Sequence, residues 1–337
     1  MKIFHYISII IFIFFCLNCQ KKSNVNLYAN LFQTDEATKI QHYKQSGEWI
    51  QKVYNIDNLH IEFVKKLNKI DGFSVVPQPM QNIEEVQKQI VSIAQNFPKP
   101  VAKLFNTYLL GLYFCKDLGG TGISGFVYDK ERKDAVGGFI IIDLHWIERN
   151  ANDWISQKEN TVFLAKKSVL NIAIEEPQNN NPQNALRYIL LHEFGHILSV
   201  VKKEVPDFRL KKRNFKEYRF FKETWISENE SIYDKEVFPF RSYVQFYGNK
   251  KINLDKKWEL IYLPLQKTSF PTLYSAMNPD EQFAEAFVSY VHCVLEQKPW
   301  KLIISKEGEQ KLEMGNGIVE ERCLTIKSIL DDVLYQN

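Results

Sequence analysis

Cysteine is scarce in this chain once its first stretch is set aside. Of five cysteines in 337 residues, Cys16 and Cys19 lie near the start, which leaves Cys115, Cys293 and Cys323. An odd number without CxxC spacing excludes a disulfide framework and points to buried free thiols. Charge of one sign is also lacking. The 43 Lys and Arg against 40 Asp and Glu leave a formal +3, which gives no general sign of nucleic-acid binding. A phosphate-binding loop is missing too: Leu118-Gly119-Gly120-Thr121-Gly122-Ile123-Ser124-Gly125 is glycine-rich, yet it has no Gly-Lys-Ser/Thr ending and no GxGxxG opening a helix, and it reads as a flexible turn feeding the strand at Phe126. Function must therefore be argued from sites. With 45% hydrophobic residues, the chain can bury one large core or two smaller ones.

Residues 1–18 differ from the rest. Lys2 gives a basic start, and Ile3 to Leu17 is almost wholly apolar. A run of about 15 residues is short for a membrane span and suits a signal-peptide core. Its end, Leu17-Asn18-Cys19-Gln20, resembles a bacterial lipoprotein signal, which implies a lipid on Cys19 and a place in the cell envelope. Residues 19–35 are polar without a period and read as a tether. Residues 36–117 carry helical signals, as in Ile83 to Val91 and Val101 to Phe105, broken by an extended Val75-Val76-Pro77-Gln78-Pro79. They are expected to pack on the core or to shape its cleft.

The stretch with most chemistry is Leu190-Leu191-His192-Glu193-Phe194-Gly195-His196-Ile197-Leu198. Histidines four apart on a helix share a face, so two ring nitrogens can close on one tetrahedral ion. Glu193 is placed to reach the water that such an ion activates, and to take its proton during hydrolysis. A simpler alternative is a hydrogen-bonded surface cluster. Against it, Leu186, Leu190, Phe194, Ile197 and Val201 form one apolar stripe that Leu191 and Leu198 widen, so little of this helix can face water. Buried histidines and a buried glutamate need partners, and a zinc ion satisfies all three. Asn181 and Pro182 mark the helix start.

The third ligand is not a histidine six residues on, because that position is Lys202; a downstream carboxylate is required. Asn278 and Pro279 cap and open a helix that places Glu281 in its first turn and Glu285 one turn later on the same face. Asn-x-x-Glu is also a capping box, so Glu281 has a purely structural alternative. The apolar stripe Phe283, Ala284, Phe287, Val288 and Val291 and the shared face of the two glutamates favour a ligand with a supporting carboxylate behind it.

His-Glu-Phe-Gly-His followed by Glu281-x-Phe283-Ala284-Glu285-Ala286-Phe287, with Tyr274 seven residues before the first glutamate, resembles the gluzincin-type metallopeptidases to which the anthrax lethal factor catalytic domain belongs. The resemblance covers these two helices and the turn before the second. It implies Glu281 as third zinc ligand, Glu285 as the supporting carboxylate, and Tyr274 as oxyanion stabiliser or proton donor.

The expected fold is α+β: a zincin-like core of residues 118–337, made of a small sheet with an edge strand, the active-site helix and the Glu-bearing helix, behind a helical N-terminal region. Strand Phe126–Tyr128 and strand Phe139–Asp143 form a hairpin through Asp129 to Asp134, and the second strand is placed in sequence to bind an extended substrate. His145 just beyond it reads as structural. Residues 202–272 form an insertion in which nine Lys or Arg stand against four acids between Lys202 and Glu223. This basic run could lie on anionic lipid, gate the cleft or prefer acidic substrates. Val319 to Leu334 reads as a closing helix. The function expected is a zinc-dependent endopeptidase acting on protein or peptide, with no nucleic-acid partner. The alternatives are a non-catalytic surface lipoprotein serving as binding module or adhesin, and zinc-dependent hydrolysis of a non-peptide bond.

Overall fold

In the computed structural model, the described residues are 26–44, 46–131, 133–209 and 215–336. The expected signal peptide and the lipidated Cys19 lie outside them. Among the described residues, no helix is long and apolar enough to cross a membrane.

The helices are α1 Leu27–Thr34, α2 Asn58–Asp71, α3 Glu84–Gln95, α4 Lys99–Tyr108, α5 Ala151–Asn160, α6 Pro182–Val201, α7 Arg219–Lys222, α8 Leu254–Leu265, α9 Pro279–Ser289 and α10 Leu324–Tyr335. The strands are β1 Val53–Asn55, β2 Gln78–Pro79, β3 Leu109–Lys116, β4 Gly122–Tyr128, β5 Ala135–Asp143, β6 Phe163–Leu164, β7 Ser168–Ala173, β8 Ile252–Asn253, β9 Lys301–Lys306 and β10 Glu309–Gly315. The protein is therefore mixed α+β.

The main sheet runs in the order β1-β3-β5-β4, with β2 pairing on β3. Strands β1, β3 and β5 are parallel, while β4 is antiparallel to β5. Strand β3 (LLGLYFCK) is a near-continuous apolar run buried up to Cys115, as a central parallel strand should be. The sheet divides two apolar cores. On one side Leu112, Phe114, Ile140 and Ile142 meet Leu190, Phe194 and Ile197 of α6. On the other, Tyr113, Phe139 and Ile141 meet Phe63 and Leu67 of α2 with Leu31 and Phe32 of α1.

Several expectations are corrected by this arrangement. The hairpin is present, but its first strand begins at Gly122, inside the stretch read as a turn. Strand β5 lies between β3 and β4, so the strand expected at Phe139–Asp143 is internal to the sheet and the edge strand is β4. Residues 36–117 supply helices α2–α4 and also β1, β2 and β3, so no structural boundary falls at 117/118. The described part of the expected tether is helix α1: Asn26 caps it, and Leu31 and Phe32 are buried. An eight-residue helix is too short to announce itself by periodicity, and packing decides it.

The expected insertion is part of the core. Phe220, Phe221, Trp225, Phe238, Phe246, Ile261, Tyr262 and Phe270 are buried in the same cluster as α6 and α9. Its basic run is partly internal, since Arg209 is buried and Arg219 pairs with Glu204 and Asp332; residues 211–213 of that run lie outside the described residues. The C-terminal helix is present as α10. Cys115, Cys293 and Cys323 are free, as their spacing suggested.

Helices α6 and α9 approach so closely that a Cβ on Gly195 would lie 2.7 Å from Ala284 Cα. On the sheet side, a Cβ on Gly138 would meet the Gly125 carbonyl oxygen at 2.5 Å and Ile197 at 2.7 Å. Glycine is needed at 195 because the obstacle is backbone. We expect Gly195→Ala to push the helices apart and to cost about 1–3 kcal/mol, read as a lower denaturation midpoint. An unchanged midpoint would show that the helices can separate at no cost.

Candidate metal centre

Helix α6 starts where its sequence says it should: the Asn181 side chain accepts from Asn184 N at 2.9 Å, with Pro182 in the first turn. Helix α9 starts the same way, with Asn278 Oδ1 accepting from Glu281 N at 2.9 Å. Only this half of a capping box forms. The Glu281 carboxylate turns towards α6, where Oε2 lies 3.2 Å from His192 Nε2 and 3.6 Å from His196 Nε2. Glu281 is therefore more than a helix cap.

These three groups fit a metal ion. One ligand atom from each of His192, His196 and Glu281 falls within 4.8 Å of the other two. Ligands about 2.1 Å from a tetrahedral ion stand about 3.4 Å apart, and the two distances to Glu281 bracket that edge. Glu281 Oε2 is a buried oxygen without a hydrogen-bond donor, as an oxygen shaped for a cation would be. The histidines are poised differently. Burial drives His196 down to about 4, which keeps its ring neutral with a lone pair to give. Burial also opposes charge on His192, but Glu281 and then Glu285 outweigh it and push that ring up to about 9.

Behind His192 lies Glu285, with Oε1 3.1 Å from His192 Nδ1. The same oxygen is 2.7 Å from Lys158 Nζ on α5, and Oε2 accepts from Thr272 Oγ1 at 2.8 Å. Burial works against ionising Glu285, yet Lys158 and then His192 hold its carboxyl well below the usual range. The result is a buried series from ammonium through carboxylate to imidazole, with His192 Nδ1 facing Glu285 and Nε2 facing Glu281. Lys158 was missed from sequence. Its signal was there: Trp154, Ile155 and Lys158 fall on one helix face, and a lysine on an apolar face needs a buried partner.

Glu193 does not join the three ligands. Ser124 Oγ on β4 lies 2.6 Å from Glu193 Oε2 and 2.8 Å from the Glu193 carbonyl oxygen. A Cβ on Gly122 would come within 2.9 Å of Glu193 Oε1, so the carboxyl lies against bare strand backbone. Burial, ahead of the opposing pull of His192 and Ser124, pushes the Glu193 pKa up. Ser124, read earlier as turn, is thus the second contact that sequence did not reveal.

Tyr274 sits beside the ligands, its ring centre 5.7 Å from that of His192, with Phe246 edge-on at 4.7 Å and Lys158 Nζ 3.7 Å over its face. Burial, then the carboxylate of Glu281, raises its pKa well above that of a free phenol, so it keeps its proton. His192, Glu193, His196, Tyr274 and Glu281 together line one cleft bordered by β4. The structure brings together every residue expected of the site. His145 is not among them: it is exposed, 3.7 Å from Glu148.

The insertion braces this centre. Trp225 Nε1 donates to Gln282 Oε1 at 2.6 Å, Gln282 Nε2 donates to Thr224 Oγ1 at 3.1 Å, and Phe220 packs on Phe283 at 4.9 Å. The residues around Glu281 are therefore held from the side away from α6.

We expect the purified chain to take up one divalent metal ion, and Glu281→Ala to lose it while remaining folded, read by elemental analysis beside circular dichroism. Metal retained in that variant would remove Glu281 from the ligand set. Because the His192 proton must leave for an ion to bind, affinity should rise with pH up to about 9, and titration at pH 7 should release close to one proton. Buffers of different ionisation enthalpy measure that release by calorimetry.

Comparisons with protein-family models, with curated proteins and with solved structures find no match, so the chemistry of the centre rests on its own residues.

Proposed function

We propose that the protein is a zinc-dependent endopeptidase on a zincin-like core, exported and held at the bacterial cell envelope by a lipid on Cys19. One observation carries the proposal: two imidazoles and a carboxylate offer ligand atoms within 4.8 Å of one another, and a second, separately held carboxyl, Glu193, shares their cleft. A merely structural metal site has no use for Glu193. The likeness of the two helices to gluzincin-type metallopeptidases points the same way.

A zinc ion bound there supplies Lewis acidity and an activated water. The chain's own residues do the rest. Glu193, buried and with a raised pKa, accepts a proton from the attacking water and returns it to the leaving nitrogen. Tyr274, which keeps its proton, donates to the oxyanion developing on the scissile carbonyl. Glu285 and Lys158 hold His192 in one orientation. Strand β4 has β5 on one side; along its other edge, among the described residues, an isolated bridge from Lys39 to Tyr128 is the one backbone pairing, so the edge beside the cleft can pair with an extended peptide backbone.

The test is cleavage of a random peptide library by the zinc-loaded chain. Glu193→Gln should keep the metal and lose activity by about 10²–10⁴-fold. Tyr274→Phe should keep the metal and slow the chemical step by about 10²–10³-fold. A wild-type chain that binds zinc and cleaves nothing, or a Glu193→Gln chain that cleaves normally, would sink the proposal.

A further inference from the structure

Arg209 is an arginine inside the cleft whose charge is already matched and whose outer nitrogen is idle. It is 8% exposed. Its Nε donates to Asp207 Oδ1 at 2.8 Å, and its backbone N–H reaches the same oxygen at 3.0 Å. Asp207 is held in turn by the Tyr128 hydroxyl, 2.7 Å from Oδ2. The guanidinium lies 3.9 Å over the Phe126 ring of β4. Asp207 on Nε and the Phe126 ring against the guanidinium hold this side chain, yet Nη2 has no hydrogen-bond partner. A buried donor left unmade costs about 1–3 kcal/mol, so its retention calls for a reason.

Asp280, next to Glu281, lines the same cleft. Its Oδ1 is also buried without a partner. Arg209 and Asp280 line the metal cleft together, and both continue into an adjoining cleft that reaches Glu228 and Asn229. They interact through space but form no ion pair with each other. An idle donor and an idle acceptor thus share one wall of the cavity that contains His192, Glu193 and His196.

The chemistry of a complementary ligand group follows. A carboxylate would meet Asp280 and Glu228 beside a guanidinium that Asp207 has already neutralised. A cation would meet the fixed guanidinium. An amide suits both groups: its carbonyl accepts from Arg209 Nη2 and its N–H donates to Asp280 Oδ1. Resting on the reading of this cleft as one that receives a peptide, we infer that Arg209 and Asp280 form an amide-recognition subsite beside the metal centre and set the enzyme's specificity. Two sources share that chemistry, the carboxamide of a substrate Asn or Gln and a main-chain peptide group next to the scissile one.

Binding, not turnover, tests this. The zinc-loaded full chain carrying Glu193→Gln is titrated by fluorescence anisotropy with hexapeptide pools, each fixing Asn or Gln, Asp or Glu, Lys, or Leu at one position. The side-chain source gives Asn and Gln pools that bind roughly 10- to 100-fold more tightly, a preference that Arg209→Met and Asp280→Ala each abolish. The main-chain source gives no pool preference, a similar loss for all pools in both variants, and the same loss on N-methylating one backbone amide. Tightest binding by acidic or basic pools, no peptide binding at all, or affinities unchanged in both variants overturns the inference. Should Arg209→Met fail to fold by circular dichroism, Asp280→Ala decides alone, because the carboxyl oxygen it removes has no partner in the fold. Wild-type cleavage of the same pools is read separately. Binding that depends on Arg209 without any cleavage counts against the peptidase reading alone, while cleavage with variant binding unchanged counts against the subsite alone.

Discussion

The close approach of α6 to α9 at Gly195 and Ala284 is the constraint on which the centre depends. Metal coordination tolerates errors of only about 0.2 Å in ligand distance, whereas a single methyl group between two helices displaces them by more. Gly195 therefore sets how closely the two helices that carry His192, His196 and Glu281 can approach. The sheet side is treated alike, with Gly138 letting α6 settle on β5. Aromatic residues from 220 to 270 then press α9 from its far side, so the helix that carries Glu281 is clamped rather than merely docked.

Charge inside this region is arranged by the same logic. Isolated, each of Lys158, Glu285 and His192 would be costly to bury; in sequence, each supplies what the next one lacks. The ammonium, paired with Glu285 behind His192, also lies against the Tyr274 ring. Such a chain specifies one arrangement of three elements, α5, α6 and α9, more sharply than apolar packing would.

Legibility in the sequence followed the range of the interaction. Helices α6 and α9 could be read because cap, first-turn proline and apolar stripe all lie within about 20 residues of each other, and the β4–β5 hairpin because its turn is local. The grouping of His192, His196 and Glu281 was readable since tetrahedral chemistry limits the candidates for a metal-holding cluster. What escaped depends on distant partners. Strand β3 looks like an extension of a helical region until β1 and β5 flank it. Arg209 was counted as one charge in a basic run, because nothing near it in sequence says that Phe126 and Tyr128 will enclose it with Asp207. Ser124 was read as a turn residue for the same reason, its partner being 69 positions away.

The distance in sequence between the histidines and Glu281 has a thermodynamic side. An unfolded chain can offer an ion the two helical histidines but not the third donor, which arrives only when α9 packs on α6 across the aromatic segment between them. Any cation held by all three is thus bound by the native state alone, and by mass action its binding energy is added to the folding equilibrium of the whole unit. In a compartment where metal supply varies, the same residues would then set how long the molecule survives proteolysis as well as what it does, with the ion acting as a reversible clasp on the fold.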